Sequence, residues 1–307
     1  MGKYILRRIL AAVVLIFAIT TIVFVMLRIA IPGDPATFMA GERATPQLIE
    51  QIRKNLGFDL PVWNQYLIFI THAIQGDLGR SVKFGQPVFS VIIDSFPFTI
   101  LLTFLSVTVG SLIGLGVGII TAVKRGSWID HASIVVVVAF SSIPTFWMGL
   151  MLILIFAVGL RVLPVQGTGS WQNFVLPVAT LALGQSALIA RLTRGNMIET
   201  LSAPYIQTAR AKGMSERRVI FAHALRNTLI PVVTVVGLSV GGLLGGAVIT
   251  ESIFGLPGVG RLAINAILDR DYPMIQGTVL LVAASFVFVN LIVDVLYVYL
   301  DPRIRYD

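Results

Sequence analysis

Apolar runs long enough to cross a bilayer, four free of charge and two with a single charged residue (Arg28, Asp294), recur six times along this chain of 307 residues. A helix needs about 20 such residues to span roughly 30 Å of hydrocarbon. The runs are Ile9 to Ile29, Phe96 to Val123, Ala132 to Leu160, Phe174 to Ala190, Thr228 to Thr250 and Gln276 to Leu300. A further run, Leu60 to Gln75, lacks charge but carries Asn64, Gln65, Thr71, His72 and Gln75 between Pro61 and Gly76, and it reads as an interfacial helix. The pattern predicts an all-α integral membrane protein of six transmembrane helices. It divides into residues 1–30, a tail and the first helix; 31–95, a structured external region with interfacial helices; and 96–307, a five-helix core with a polar loop at 191–227.

Composition agrees with the pattern. The chain is 56% hydrophobic and 12% charged, with a mean hydropathy of +0.88, too little polar surface to coat a water-soluble globule of this size. The first apolar run is longer than the core of a secretory signal and no small-x-small cleavage site follows, so it reads as a retained span. A net charge of +8 would suggest nucleic acid in a soluble protein, but its distribution gives a topological reason instead. With six spans, the N-terminal tail, Lys124 to His131, Arg191 to Arg226 and the segment after Asp301 share one side and hold 14 of the 23 basic residues. The positive-inside rule puts that side and both termini in the cytoplasm. No cysteine is present, and the three histidines are scattered without metal-ligand spacing, so no metal site is expected.

Local signals refine the picture. Thr45 can cap a helix with Pro46 in its first turn, apolar Leu48, Ile49, Ile52 and Leu56 on one side, and Gly57 as its stop. Glycines recur every fourth residue at Gly110, Gly114 and Gly118, and at Gly237, Gly241 and Gly245 with Gly242 and Gly246 beside them. That spacing stacks them on one helix face, where a neighbouring backbone can come close. Ser141, Ser142 and Pro144 interrupt the third run and mark a kink, because proline frees backbone groups that must find partners. Ionisable groups at membrane depth are costly and become functional candidates. Those here are Asp294 inside the last span, and Glu251 and Asp271 near outer ends. Arg261, Asn265 and Asp269 form a stripe at four-residue spacing on a helix expected from Val259 to Asp269, fit either to line an outer gate or to face water.

Between Ala190 and Thr228 lie seven basic residues against two acidic ones. Pro204 opens a short helix that Gly213 can end; Ser215 can cap a second, with Glu216 in its first turn. The second helix sets Arg217 and Arg218 beside apolar Val219, Ile220, Phe221 and Leu225, the arrangement of a helix seated in a groove of another protein. A solvated basic loop held by anionic headgroups is the plainer reading. No phosphate-binding glycine loop, Ser-His-Asp context or paired carboxylate cleft occurs, so the chain itself is expected to be non-catalytic.

The motif Q-T-A-R-A-K-G at Gln207 to Gly213, followed by H-A-L-R-N at His223 to Asn227, resembles the cytoplasmic signature of the permease subunits of bacterial ABC importers. The general signature is Glu-Ala-Ala, three residues, Gly, nine residues, then Ile-x-Leu-Pro. Gly213 matches; Gln207, Thr208 and Ala209 stand at the Glu-Ala-Ala positions, and His223, Leu225 and Arg226 at the Ile, Leu and Pro positions. This variant is the form of the dipeptide, oligopeptide, glutathione and nickel branch. P-G-D-P-A at Pro32 to Ala36, Q-G-D-L-G-R-S at Gln75 to Ser81, F-G-L-P-G-V-G-R at Phe254 to Arg261, R-D-Y-P-M-I-Q at Arg270 to Gln276 and D-P-R-I-R-Y at Asp301 to Tyr306 resemble the same branch, so the likeness runs the length of the chain.

The resemblance implies a permease of the inner membrane that moves small peptides by alternating access, with glutathione or a nickel chelate as other cargoes. It implies a second homologous permease, two cytoplasmic ATPase subunits that bind ATP and Mg, and an external substrate-binding protein, periplasmic or lipid-anchored. Besides membrane lipid these are the expected partners; the chain binds no cofactor itself. The coupling contact to the ATPase falls on Gln207, Thr208, Ala209, Arg210, Ala211, Lys212, Gly213, Ser215, Glu216, Arg217, Arg218, His223, Leu225 and Arg226. The translocation path is assigned to Ser141, Ser142, Pro144, Glu251, Arg261, Asn265 and Asp271. The rival from another class is a secondary transporter driven by an ion gradient, which needs midplane carboxylates that this sequence almost lacks.

Overall fold

Apolar helices that must satisfy every backbone group internally account for nearly all of the computed structural model. It describes the chain except residues 1, 30–34, 41–43, 56, 245–246 and 301–307. Among the described residues there is no strand, only an isolated bridge from Arg80 to Pro87. The helices are α1 (Gly2–Ile29), α2 (Pro35–Ala40), α3 (Pro46–Asn55), α4 (Val62–Ile74), α5 (Val88–Val123), α6 (Trp128–Ser142), α7 (Thr145–Leu152), α8 (Gln172–Leu201), α9 (Pro204–Ala211), α10 (Glu216–Arg218), α11 (Leu225–Leu244), α12 (Val248–Ile253), α13 (Val259–Leu268) and α14 (Tyr272–Leu300). π-Helical turns extend α7 over Ile153–Gly159 and join α10 to α11 over Val219–Ala224.

Two compact units divide the chain: residues 1–99 with 257–287, and residues 100–256 with 288–307. In the first unit, Val88 and Ile92 of α5 pack with Val259, Leu262 and Ala266 of α13 and Met274 and Ile275 of α14. Thr99 locks this cluster by accepting a hydrogen bond from the Val259 amide at 2.9 Å. Elsewhere in the unit, α1 and α4 meet through aromatic rings: Phe24 sits edge-on to Tyr66 at 5.2 Å and stacks with Phe69 at 5.9 Å. Much of α1 faces outward, with Val13, Val14 and Phe17 more than half exposed, as suits a helix bathed in lipid tails.

Short helices of this unit end as the turn chemistry predicts. Leu48 donates its amide to Thr45 Oγ1 at 3.3 Å at the start of α3. At the end of α13 the amides of Arg270 and Asp271 donate to Ile267 and Ala266 carbonyls, a closure that places Arg270 at φ +53° without the help of glycine. Asp271 then starts α14: its carbonyl accepts the Ile275 amide at 2.9 Å and its Oδ1 the Met274 amide at 3.2 Å.

The second unit is organised around α8. The glycines of α5 lie directly on it. A Cβ at Gly110 would stand 3.0 Å from the Ala182 carbonyl, at Gly114 2.7 Å from Ile189 Cβ, and at Gly118 2.5 Å from Thr193 Cβ. Glycine at each point lets two backbones approach where any side chain would hold them apart. In the other ladder, Gly237 is pressed against Val293 and Gly241 is buried, while Gly245 and Gly246 lie outside the described residues.

Three of the expected spans differ in form. The third is two helices, α6 and α7, bent by 103° at Ile143 and Pro144, so among the described residues five helices are long and apolar enough to cross a membrane, or six if the bent pair counts as one. Residue 143, extended because a proline follows it, cannot continue the helix, and the hydroxyls of Ser141 and Ser142 both turn back to the Val138 carbonyl at 2.9 Å. The fourth run continues as α8 to Leu201, past the last apolar stretch, since Arg191 and Arg194 are good helix formers. The fifth stops at Leu244, and α12 follows as a separate helix.

The glycine seam yields a direct test. Gly118→Leu forces a side chain into Thr193 and destabilises the unit by about 3 kcal/mol or more, whereas Gly116→Ala, whose Cβ meets open space, is neutral or stabilising by up to about 1 kcal/mol. Apparent unfolding temperatures of the two purified variants in detergent check the contrast.

Candidate functional site

Pro204, locked near helical φ, starts α9, and Gly213 ends it. The Gly213 amide donates to the Arg210 carbonyl at 2.9 Å and the Met214 amide to the Ala209 carbonyl at 3.3 Å, a closure that needs the left-handed backbone Gly213 supplies at φ +78°. Nothing lies within 4 Å of where its Cβ would be, so the requirement for glycine there is conformational.

Ser215 occupies the N-cap position of α10 with extended backbone, but its hydroxyl makes no capping bond; its carbonyl instead accepts the amides of Arg218 and Val219. Glu216 is drawn sideways to Arg210, whose Nε and Nη2 donate to its two carboxylate oxygens at 2.7 and 3.1 Å. That hydrogen bonding raises the Arg210 pKa above its ordinary value. The pair is exposed, so it shapes the turn more than it stabilises the fold.

One side of this elbow is pinned. Ile206 and Ala209 of α9 are buried with Ala122 at the end of α5, Met197 near the end of α8, and Val219 and Ala224 in the π-turn. Asn227 Nδ2 donates to the Tyr205 hydroxyl at 2.7 Å, tying α9 to the first turn of α11. The other side is open: Gln207, Thr208, Arg210, Ala211, Lys212, Gly213, Ser215, Glu216, Arg217, Arg218 and Arg226 are exposed, and His223 and Leu225 half-buried. Ala209 alone of the set is buried and belongs to the hinge side. The expected second helix of the elbow is in fact the start of α11, reached through the π-turn, because no breaker separates Arg218 from Leu225.

A second polar centre beneath the elbow escaped the sequence reading. Asp130, 2% exposed, accepts both Arg194 Nε at 2.7 Å and Nη2 at 2.8 Å, and also the Gly126 amide at 2.9 Å. Its own amide donates to Ser127 Oγ at 3.3 Å. The Ser127-x-x-Asp130 spacing was the available signal, a capping box ahead of an apolar run; the partner on α8 had none.

The residues assigned to a path fall in both units. Ser141, Ser142 and Pro144 form the α6–α7 break. Glu251 of α12, with no exposed surface, belongs to a helix packed on α7 and α8. In the first unit, Arg261 and Asn265 are half-buried on α13, and Asp269 pairs with Lys83. Asp271 is 2% exposed, and its Oδ2 accepts the Ser81 hydroxyl at 2.5 Å and the Lys83 amide at 3.2 Å. It thus ties the connection before α5 to the start of α14. Among the described residues no cluster of His, Cys, Asp or Glu could hold a metal ion.

Comparison with known proteins bears on this arrangement. Residues 114–306 match the family described as binding-protein-dependent transport system inner membrane component, and residues 1–103 match the N-terminal region of such membrane components. The chain is 42% identical over 306 residues to the glutathione transport system permease protein GsiC of Escherichia coli strain K12, covering 100% of both. The GsiC protein of Shigella flexneri gives the same identity and coverage. Among solved structures, an inward-facing MetNI methionine ABC transporter aligns with a TM-score of 0.57 at 19% identity, over 69% of this chain and 96% of that one. An amino acid ABC transporter aligns with a TM-score of 0.50 at 22% identity, over 70% and 94%.

Breaking the half-buried pair tests the polar centre. Asp130→Ala leaves the Arg194 guanidinium without its partner and costs about 1–3 kcal/mol, while replacing both residues with apolar ones recovers much of the loss. A double-mutant cycle on thermal unfolding measures it.

Proposed function

Since the chain belongs to the family of binding-protein-dependent transport system inner membrane components, the permeases of ABC importers, we propose that it carries small peptides inward across the inner membrane, powered by ATP hydrolysed on partner subunits. The carrying observation is the elbow from Pro204 to Arg226: a cationic face open to a partner, backed by a buried face that gathers the ends of α5 and α8 and the π-turn that leads into α11. The partners are a second, homologous permease, two cytoplasmic ATPase subunits with their ATP and Mg, and an external substrate-binding protein.

The mechanism follows from those attachments. The ATPase surface grips Gln207 to Gly213 and Arg217 to Arg218 of the elbow. Closure of the ATPases on ATP displaces α9; through Ile206, Ala209, Val219 and Ala224 the displacement reaches α8 and α11, and the pathway turns from inward-open to outward-open, where the binding protein delivers cargo. Glu251, a buried acid in a membrane subunit, and the Ser141–Ser142–Pro144 break are the path candidates in the second unit; Arg261, Asn265 and Asp271 are those in the first.

Glutathione, itself a tripeptide, is the cargo named for the relatives at 42% identity over their full length, and it is the first member of the peptide class to test. Proteoliposomes containing the full complex should take up labelled glutathione when ATP is inside with the ATPases, and unlabelled di- and tripeptides should compete. Uptake of nickel chelate without peptide competition would refute the substrate class.

The elbow is tested by substitution. Gly213→Glu, which puts an acidic side chain on a left-handed backbone, and Arg217→Glu, which reverses charge at a docking face, should each cut uptake roughly tenfold or more and should release ATPase activity from stimulation by the loaded binding protein. Undiminished coupled transport by both variants would refute the docking role. Orientation is checked separately: the chain has no cysteine, so Trp128→Cys, exposed at the start of α6 and outside the docking face, should react with a membrane-impermeant maleimide only after the cells are opened.

A further inference from the structure

In the second unit, α5, α6 and α8 enclose a groove of about 320 Å³ whose walls are largely apolar, formed by residues such as Val117, Ile134, Val137 and Val138. Two cations of α8, Arg191 and Arg194, also line it. They are not equivalent. Arg194 is neutralised by Asp130 in a bidentate pair, whereas exposed Arg191 makes no hydrogen bond or ion pair among the described residues. Three residues past Thr121, which also lines the groove, α5 gives way to the exposed cations Lys124 and Arg125.

An apolar slot, one uncompensated positive charge and further cations at the helix end match an amphiphile with acyl chains and an anionic head. The groove lies in the last two turns of α5, the first three of α6 and the turn of α8 that enters the basic loop, the depth at which a span meets the inner headgroups once that loop faces the cytoplasm. We infer that this groove binds an anionic phospholipid of the inner leaflet, its phosphate on Arg191 and an acyl chain along Val117, Val137 and Val138. The lipid would bear on α8 a few residues before α8 reaches the buried cluster at Met197 that holds the elbow, so its occupancy would set how firmly the coupling elbow is held.

The inference rests on the inward orientation of the functional reading, which the Trp128→Cys labelling decides by itself. The binding test uses the assembled importer, delipidated and titrated by native mass spectrometry with phosphatidylglycerol or phosphatidylcholine. One phosphatidylglycerol should be retained in preference to phosphatidylcholine. Arg191→Gln should weaken that preference about fivefold, the weight of one basic residue at an anionic surface, without changing retention of phosphatidylcholine. Val137→Trp, which fills the slot, should remove both while the unfolding temperature shows a folded chain. Equal retention of the two lipids by the native importer, or an unchanged preference in Arg191→Gln, would overturn the site. So would a cross-link from residue 137 to the second permease showing that protein fills the groove.

Discussion

Contact between two helix backbones, α5 against α8, is the constraint from which the second unit follows. Where Gly110, Gly114 and Gly118 face Ala182, Ile189 and Thr193, α5 contributes no side chain to the seam, and close packing of its backbone on α8 replaces the hydrophobic drive that lipid cannot provide. Because the seam climbs three successive turns, it fixes both the register and the crossing of the pair. The Asp130–Arg194 pair then has only one place to form, and α6 is held to α8 at its first turn. A buried ion pair is weak evidence of stability by itself, but here it closes a geometry already imposed by glycine.

The same register delivers the functional segment. With α5 ending at Val123 and α8 at Leu201 side by side, Ala122 and Met197 offer a small apolar platform on which Ile206 and Ala209 of α9 settle. The elbow is therefore half core and half surface. Its buried half follows the membrane helices, and its cationic half is free to follow something else. A π-turn at Val219–Ala224 lies at the junction, where an extra residue in the helical repeat shifts the faces of the helix before α11 begins.

Much of this was legible in the residues. Apolar runs of membrane length, the Thr45 and Gly213 helix ends and the glycine spacing each follow from a local rule, and a local rule survives transfer from sequence to structure. What was not legible depended on partners far apart in the chain. Proline at 144 signalled a kink, but nothing nearby set its size at 103°, and Asp271 read as a membrane-depth carboxylate because Ser81, which it binds, lies 190 residues away. Charge misled in one place: the arginines of α8 look like the edge of a loop by hydropathy, yet their helix propensity carries α8 another eleven residues past Ala190. The likeness in sequence spanned the whole chain and gave the family; it gave no geometry for the path.

The unbroken length of α8 has a mechanical meaning. Thirty residues form a rod of about 45 Å, gripped along its middle by the glycines of α5 and joined at its C-terminal end to the elbow. Gripped in the middle, it behaves as a seesaw: a tilt of about 5° shifts each tip by roughly 2 Å in opposite directions. A small push at one end of the rod thus becomes a displacement at the other without any residue unwinding.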